Sequence, residues 1–133
     1  MVLRDDRSAP FFDAARRAEL VVRHCTGCGE LAAPRVRACP TCSATALDWA
    51  PVSGAGTLVS WTVLRDRAGG VTAVGGIVEL AEGPWLRVRL AADPETLEAG
   101  LAVAVAFEHQ DDGEPVPVFV PRERAEEGVD GRR

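Results

Sequence analysis

Lysine, tyrosine and asparagine are absent from this chain of 133 residues, histidine occurs twice, and aromatic residues make up only 5% of it. Each shortage removes a class of function. Without lysine there is no phosphate loop of the kind that closes on a Lys side chain, and Gly54-Ala55-Gly56, which also lacks a third glycine at the required spacing, reads as a turn. Without tyrosine a base-stacking platform is poorly supplied, so Trp61 and Trp85 are expected to pack in the core. All fifteen basic residues are Arg and face twenty acids, for a formal charge of -5. That balance argues against a protein that relies on general attraction to phosphate backbones, and nucleic acid is not an expected partner. The abundance of Ala, Val, Arg and Gly beside a single Ile and a single Gln follows GC-rich bacterial coding rather than fold. No run approaches the ~20 apolar residues that span a bilayer. The opening MVLRDDRSAP has neither an apolar signal core nor a small-residue cleavage pattern, so a cytoplasmic protein without membrane contact is expected.

The usual catalytic sets are missing too. His24 adjoins Cys25, His109 stands at a strand end, and neither has a recognisable triad around it. Ser53 and Ser60 lack the GxSxG context of an activated serine. Asp111, Asp112 and Glu114 lie in one polar loop and read as a solvated turn. No residue is assigned a catalytic role, and no activity is expected of the chain alone.

What is present has a clear order. Ser8 to Ala18 reads as a short helix, with Ser8 as cap, Pro10 in the first turn, and Phe11, Ala14, Ala15 and Ala18 sharing one face. Leu20-Val21-Val22 reads as a strand running into Cys25, and a short strand is expected around Leu31 to Arg37. Beyond Val52 the chain alternates strands with turn signals: Thr57 to Leu64, Val71 to Leu80, then Trp85 to Leu90 with strict period-two alternation. Gly75-Gly76 inside the second of these implies a bulge or a close backbone approach. Asp93 to Gly100 predicts a helix of one to two turns capped by Asp93, and Leu101 to Glu108 and Val116 to Val120 predict two further strands. Three strands, a short helix and two strands is the order of an OB-fold barrel. The expected organisation is an N-terminal segment and helix over 1–20, a metal ribbon over 21–50, a five-stranded barrel over 51–121 and a disordered charged tail over 122–133.

All four cysteines fall between Cys25 and Cys42, in Cys25-Thr26-Gly27-Cys28-Gly29 and Cys39-Pro40-Thr41-Cys42-Ser43, with ten residues, Gly29 to Ala38, between Cys28 and Cys39. Two CxxC turns, each followed by a small residue, can set four thiolates tetrahedrally around Zn²⁺ at about 2.3 Å. Disulfides are the poorer reading, because CxxC pairs in a cytosolic setting bind metal or do redox chemistry; iron or thiol redox activity are the remaining alternatives. Four protein ligands leave no open position for water or substrate, so the zinc is structural. Binding releases four protons and adds two charges, which takes the formal charge from -5 to about -7.

Arg87 and Arg89 share a face of the third barrel strand, and Arg35 and Arg37 are expected to share one in the ribbon. Paired guanidinium forks can hold the phosphates of a nucleotide-like ligand, with a solvated face as the alternative.

Pro10-Phe11-Phe12, the knuckles at Cys25, Cys28, Cys39 and Cys42, Pro34-Arg35, Gly54-Ala55-Gly56-Thr57-Leu58, Val78-Glu79-Leu80-Ala81-Glu82-Gly83 and Gly100-Leu101-Ala102-Val103 together give the chain a family likeness. It resembles, over roughly residues 8 to 121, the rubredoxin-like zinc ribbon plus OB-fold family once called domain of unknown function 35. The resemblance implies a non-catalytic accessory subunit of a thiolase-superfamily, lipid-transfer-type enzyme. Relatives accompany archaeal thiolase assemblies, polyketide acyltransferases, and actinobacterial aldolases that cleave steroid side chains after a MaoC-like hydratase, to which this domain is fused in several cases. The expected partners are therefore such an enzyme, a MaoC-like hydratase and acyl-CoA. Arg35, Arg37, Arg87 and Arg89 are candidate acyl-CoA contacts, and Phe11 and Phe12 are candidate anchors in the partner interface. A freestanding acyl-CoA-binding protein and a nucleic-acid-binding module are the alternatives.

Overall fold

A computed structural model describes residues 8–109 and 113–122. Asp111, Asp112 and nearly all of the charged tail lie outside them. Helix α1 (Ala9–Arg16) starts where the Ser8 carbonyl accepts the Phe12 N–H at 3.1 Å, and the Ser8 side chain makes no capping bond. It ends because Ala18 turns left-handed at φ 59°, letting Ala18 N–H reach the Ala15 carbonyl and Glu19 N–H the Ala14 carbonyl, both at 2.9 Å. That reversal exposes Ala18, and the helix buries Phe12, Ala14 and Ala15 instead of the expected face through Phe11 and Ala18.

Strands β1 (Leu20–Cys25), β2 (Leu31–Ala32) and β3 (Leu47–Val52) form an antiparallel sheet in the order β2-β1-β3. The strand expected from Leu31 to Arg37 stops at Ala32: Pro34 has no N–H for a ladder, and Val36 N–H turns back to the Ala33 carbonyl at 3.3 Å. Arg35 and Arg37 therefore sit on a turn and not on a shared strand face. β3 was hidden in the sequence by Pro51, which is tolerated because β3 is an edge strand.

The second sheet contains β4 (Ala55–Arg65), β5 (Val71–Leu80), β6 (Trp85–Arg89), β7 (Ala102–Glu108) and β8 (Val116–Pro121), in the order β6-β5-β4-β7-β8. A parallel bridge between Leu90 and Phe119, with Ala91 N–H on the Phe119 carbonyl at 3.0 Å, brings the two outer strands together as an OB-type barrel. Between β6 and β7 the predicted helix shrinks to a single 3₁₀ turn (Pro94–Thr96), with the Asp93 carboxylate accepting Glu95 N–H at 3.0 Å. Leu97 is already extended, which stops the turn. Gly76 is the anticipated close approach: a Cβ there would lie 2.8 Å from the Ser60 carbonyl oxygen and 2.9 Å from a Leu90 methyl.

The core ignores the expected border near residue 50. Leu20 and Val22 of β1 join Leu58, Val78, Leu80, Leu86, Val103 and Phe119 of the barrel in one buried cluster. A second tie is the Arg16 guanidinium, which grips Glu114 through two bonds of 3.2 Å. Glu114 is 6% exposed, so it is a buried anchor for α1 and not the solvated turn residue its sequence context implied.

Candidate metal centre

Two knuckles of matching geometry build the site. In the first, Gly29 N–H bonds the Cys25 carbonyl at 2.9 Å and Cys25 N–H the Glu30 carbonyl at 2.9 Å; in the second, Ser43 N–H bonds the Cys39 carbonyl at 2.8 Å and Cys39 N–H the Ala44 carbonyl at 2.8 Å. The residue after each second cysteine is left-handed, Gly29 at φ 83° and Ser43 at φ 66°. This conformation reverses the chain so that both sulfurs of a knuckle face inward. It costs Gly29 nothing and strains Ser43, which carries a Cβ.

The four Sγ atoms lie within 4.8 Å of one another. Cys25 and Cys42 stand 3.6 Å apart, as do Cys28 and Cys39, close to the ~3.8 Å edge of a tetrahedron with ~2.3 Å metal–sulfur bonds. Backbone amides point at the sulfurs: Cys28 N–H lies 3.5 Å from Cys25 Sγ and Thr41 N–H 3.4 Å from Cys39 Sγ. These donors favour thiolate. The backbone N–H of Cys42, helped by that of Thr41, pulls the Cys39 thiol down to about 6 against the opposing effect of burial. Cys25 is lowered in the same way, chiefly by the Cys28 N–H. At Cys28 the Glu30 N–H also lowers the pKa, but burial and the neighbouring thiols outweigh it and push the group up to about 12. Four crowded thiols share too much negative charge to ionise together without a cation, and a divalent metal supplies it. The donor set therefore fits zinc, held by Cys25, Cys28, Cys39 and Cys42.

A family model described as the ChsH2 rubredoxin-like zinc ribbon domain matches residues 12–48, and one described as the ChsH2 C-terminal OB-fold domain matches residues 49–108. Among solved structures, one described as the Ltp2-ChsH2(DUF35) aldolase is 30% identical, with a TM-score of 0.74, and the match covers 89% of this chain and 96% of that one. The chain belongs to the ChsH2 (DUF35) family. A DUF35 protein of unknown function from Sulfolobus solfataricus shares the fold at 13% identity and a TM-score of 0.63, over 87% of this chain and 85% of that one. A protein of Thermomonospora curvata described as a probable enoyl-CoA hydratase alpha subunit is 31% identical over 124 residues. That match takes in 90% of this chain and 39% of the relative, so the chain spans about two fifths of the curated protein's length.

The other candidate residues of this ChsH2-family chain fall in separate places. Arg87 and Arg89 do share the outer face of β6, opposite buried Leu86. Arg89 is held by Glu108 at 2.9 Å, while Arg87, Arg35 and Arg37 make no hydrogen bond or ion pair among the described residues. Phe12 is buried within the chain; Phe11 is half-buried against it, edge-on to Phe12 with centroids 5.3 Å apart and 6.3 Å from Trp49. Two expectations fail. Trp85 is not a core residue but 55% exposed, because it shares parity with Arg87 and Arg89 on the outer face. Trp61, at 36% exposed, points along the core-side face but past the packed part of the barrel, after a bulge between Leu58 and Ser60. His24 has a partner that its sequence context did not show: Nδ1 lies 2.8 Å from Asp48 Oδ1 across the β1–β3 pair. No hydroxyl or thiol bonds the ring among the described residues. No helix among the described residues is long and apolar enough to cross a membrane.

Proposed function

We propose that this chain is a non-catalytic partner subunit of a thiolase-fold acyl-CoA enzyme, of the aldolase type that acts in steroid side-chain degradation, and that it helps to hold the acyl-CoA. The observation that carries the reading is the likeness, over nearly the full length of both chains, to the ChsH2(DUF35) component named in an aldolase structure. The site chemistry agrees with it. A four-cysteine metal centre leaves no open position for substrate, so the metal shapes the ribbon and the bond-breaking groups belong to another chain.

A CoA thioester offers phosphates at one end and a long neutral arm. Arg87 on the outer barrel face and Arg35 and Arg37 on the ribbon turn are the guanidinium groups available to phosphate, whereas Arg89 must first leave Glu108. Two proteins that close around the arm exclude water and orient the acyl group in a way that one open surface does not. A MaoC-like hydratase is a fitting second partner, because a relative described as a hydratase subunit contains a region similar to 90% of this chain.

The test is to mix the chain with the thiolase-type subunit encoded in the same genome and measure complex formation and acyl-CoA binding by calorimetry. Co-elution, with acyl-CoA bound by the complex and not by the separate chain, is the expected result. Tight acyl-CoA binding by the chain alone supports a freestanding carrier instead. Salt-sensitive binding of single-stranded DNA, with no affinity for the enzyme, overturns the proposal in favour of a nucleic-acid module.

A further inference from the structure

The β4–β5 hairpin outruns the barrel that it helps to build. β4 pairs with β7 only over Ala55 to Thr57, and Leu58 exchanges the last backbone bonds on that side, with Leu101 and Gly100 at 2.9 and 2.8 Å. From Val59 to Arg65 the outer edge of β4 carries no backbone ladder among the described residues. On the other side β5 continues to Val71, beyond Gly75, the last residue that pairs with β6. β6 still backs the hairpin at Gly76 and Gly75, and the Val74 carbonyl takes the Leu90 N–H at 2.8 Å. Only Leu64 and Arg65 with Val71, Thr72 and Ala73 therefore protrude as a two-stranded tip, while the outer edge of β4 is free from Val59 onward.

Three of the four exposed large hydrophobic residues of the described chain lie along this hairpin arm: Leu64 and Val71 at its two-stranded tip, and Trp61 on the free edge of β4, opposite Gly76. Scattered apolar residues need no explanation, but a concentration on a protruding ribbon does. Trp61 and Leu64 are three apart on a strand, so they point to opposite faces, and laying the arm flat on a surface covers only one of them. The tip closes on itself through its own hydrogen bonds. Asp66 Oδ1 accepts the Ala68 and Gly70 N–H groups at 3.0 and 2.9 Å, and Arg65 donates to the Gly69 carbonyl at 2.9 Å. The Asp66 carboxylate is thus engaged inside the turn, and Arg67 projects a guanidinium with no bond among the described residues. In a chain of formal charge -5 this tip carries two arginines against one aspartate. Two copies of so acidic a chain repel at long range, which favours a different protein as occupant.

We infer that the β4–β5 arm is the docking element of the chain and inserts into an apolar cleft of its enzyme subunit, with a carboxylate of that subunit at the mouth receiving Arg67. The free edge of β4 supplies backbone groups for strand addition, the two apolar faces fill the cleft walls, and the preformed turn lowers the ordering cost. This assignment rests on the proposed function for the identity of the occupant.

The experiment titrates the thiolase-type subunit with the wild-type chain, Leu64→Asp and Arg67→Glu, and follows self-association of each chain by light scattering. Both substituted residues are exposed, and Arg67 lies on the turn outside both strands, so Arg67→Glu keeps the fold even if Leu64→Asp disturbs it. Expected are a loss of about tenfold or more for Leu64→Asp and a smaller loss for Arg67→Glu that fades as salt rises. Wild-type binding with both variants unchanged overturns the arm while leaving the proposed function standing. No binding by the wild type overturns both. A wild-type dimer that Leu64→Asp converts to monomer, with enzyme affinity intact, overturns the arm's assignment in favour of a second copy.

Discussion

The ribbon and the barrel solve the same problem with different materials. The ribbon's sheet includes a strand of two residues, and its loops carry Pro34 and Pro40 and expose Arg35, Arg37, Cys28 and Cys42. The barrel has strands of ten and eleven residues and encloses Leu58, Val78, Val103 and Phe119 at 1% exposure or less. In the first region a metal replaces apolar burial as the source of stability; in the second, burial suffices. The two are joined where β1 gives Leu20 and Val22 to the barrel's core while its last residue, Cys25, is a ligand. One six-residue strand therefore belongs to both regimes.

The strongest way to break the comparison is to remove the metal. Chelation, or Cys39→Ser, is expected to withdraw most of the ~10–16 kcal/mol that a structural zinc supplies to such sites. Hydrogen exchange should then become fast through residues 26–46 and stay slow in β4, β5 and β7. Fast exchange throughout would show that the barrel depends on the ribbon and that the contrast is false. Next in size, Phe119→Ala should cost about 3–5 kcal/mol in denaturant unfolding. Zinc content, measured by elemental analysis, is expected to stay at one per chain while the variant is folded.

A smaller effect tests the seam. Arg16→Ala leaves the buried Glu114 carboxylate without its α1 guanidinium and should cost about 1–3 kcal/mol. Glu114→Gln in the same background should recover part of that loss, since the charge is what requires the arginine. The smallest effect sharpens the equivalence of the knuckles. Ser43→Gly should stabilise the folded chain by up to about 1 kcal/mol, because Ser43 holds φ 66°, while Gly29→Ser should destabilise it by a similar amount. Equal and opposite shifts in thermal midpoint are the expected reading.

The metal site was legible because its information is local: ligands three apart on a turn, each pair followed by Gly29 or Ser43, leave few other outcomes. The barrel's strand order was legible for a similar reason, in alternation and turn residues. Trp85 was misplaced although the signal was available. In Trp85-Leu86-Arg87-Val88-Arg89-Leu90 the tryptophan keeps step with the arginines, and that parity outweighs its hydrophobicity. β3 was concealed by Pro51, whose tolerance depends on lying at an edge, a fact about neighbours that no local pattern contains.

Taken alone, then, the sequence determined the periodicities, the turns and the four thiolates, all of which act over a few residues. Tertiary structure decided what depends on distant partners. Arg16 meets Glu114 across 98 positions, and β1 couples the ribbon to the barrel core. A hairpin becomes an exposed arm only because β7 leaves β4 after Thr57. Side-chain burial is a property of what comes to lie opposite, and a chain read residue by residue does not say what that will be.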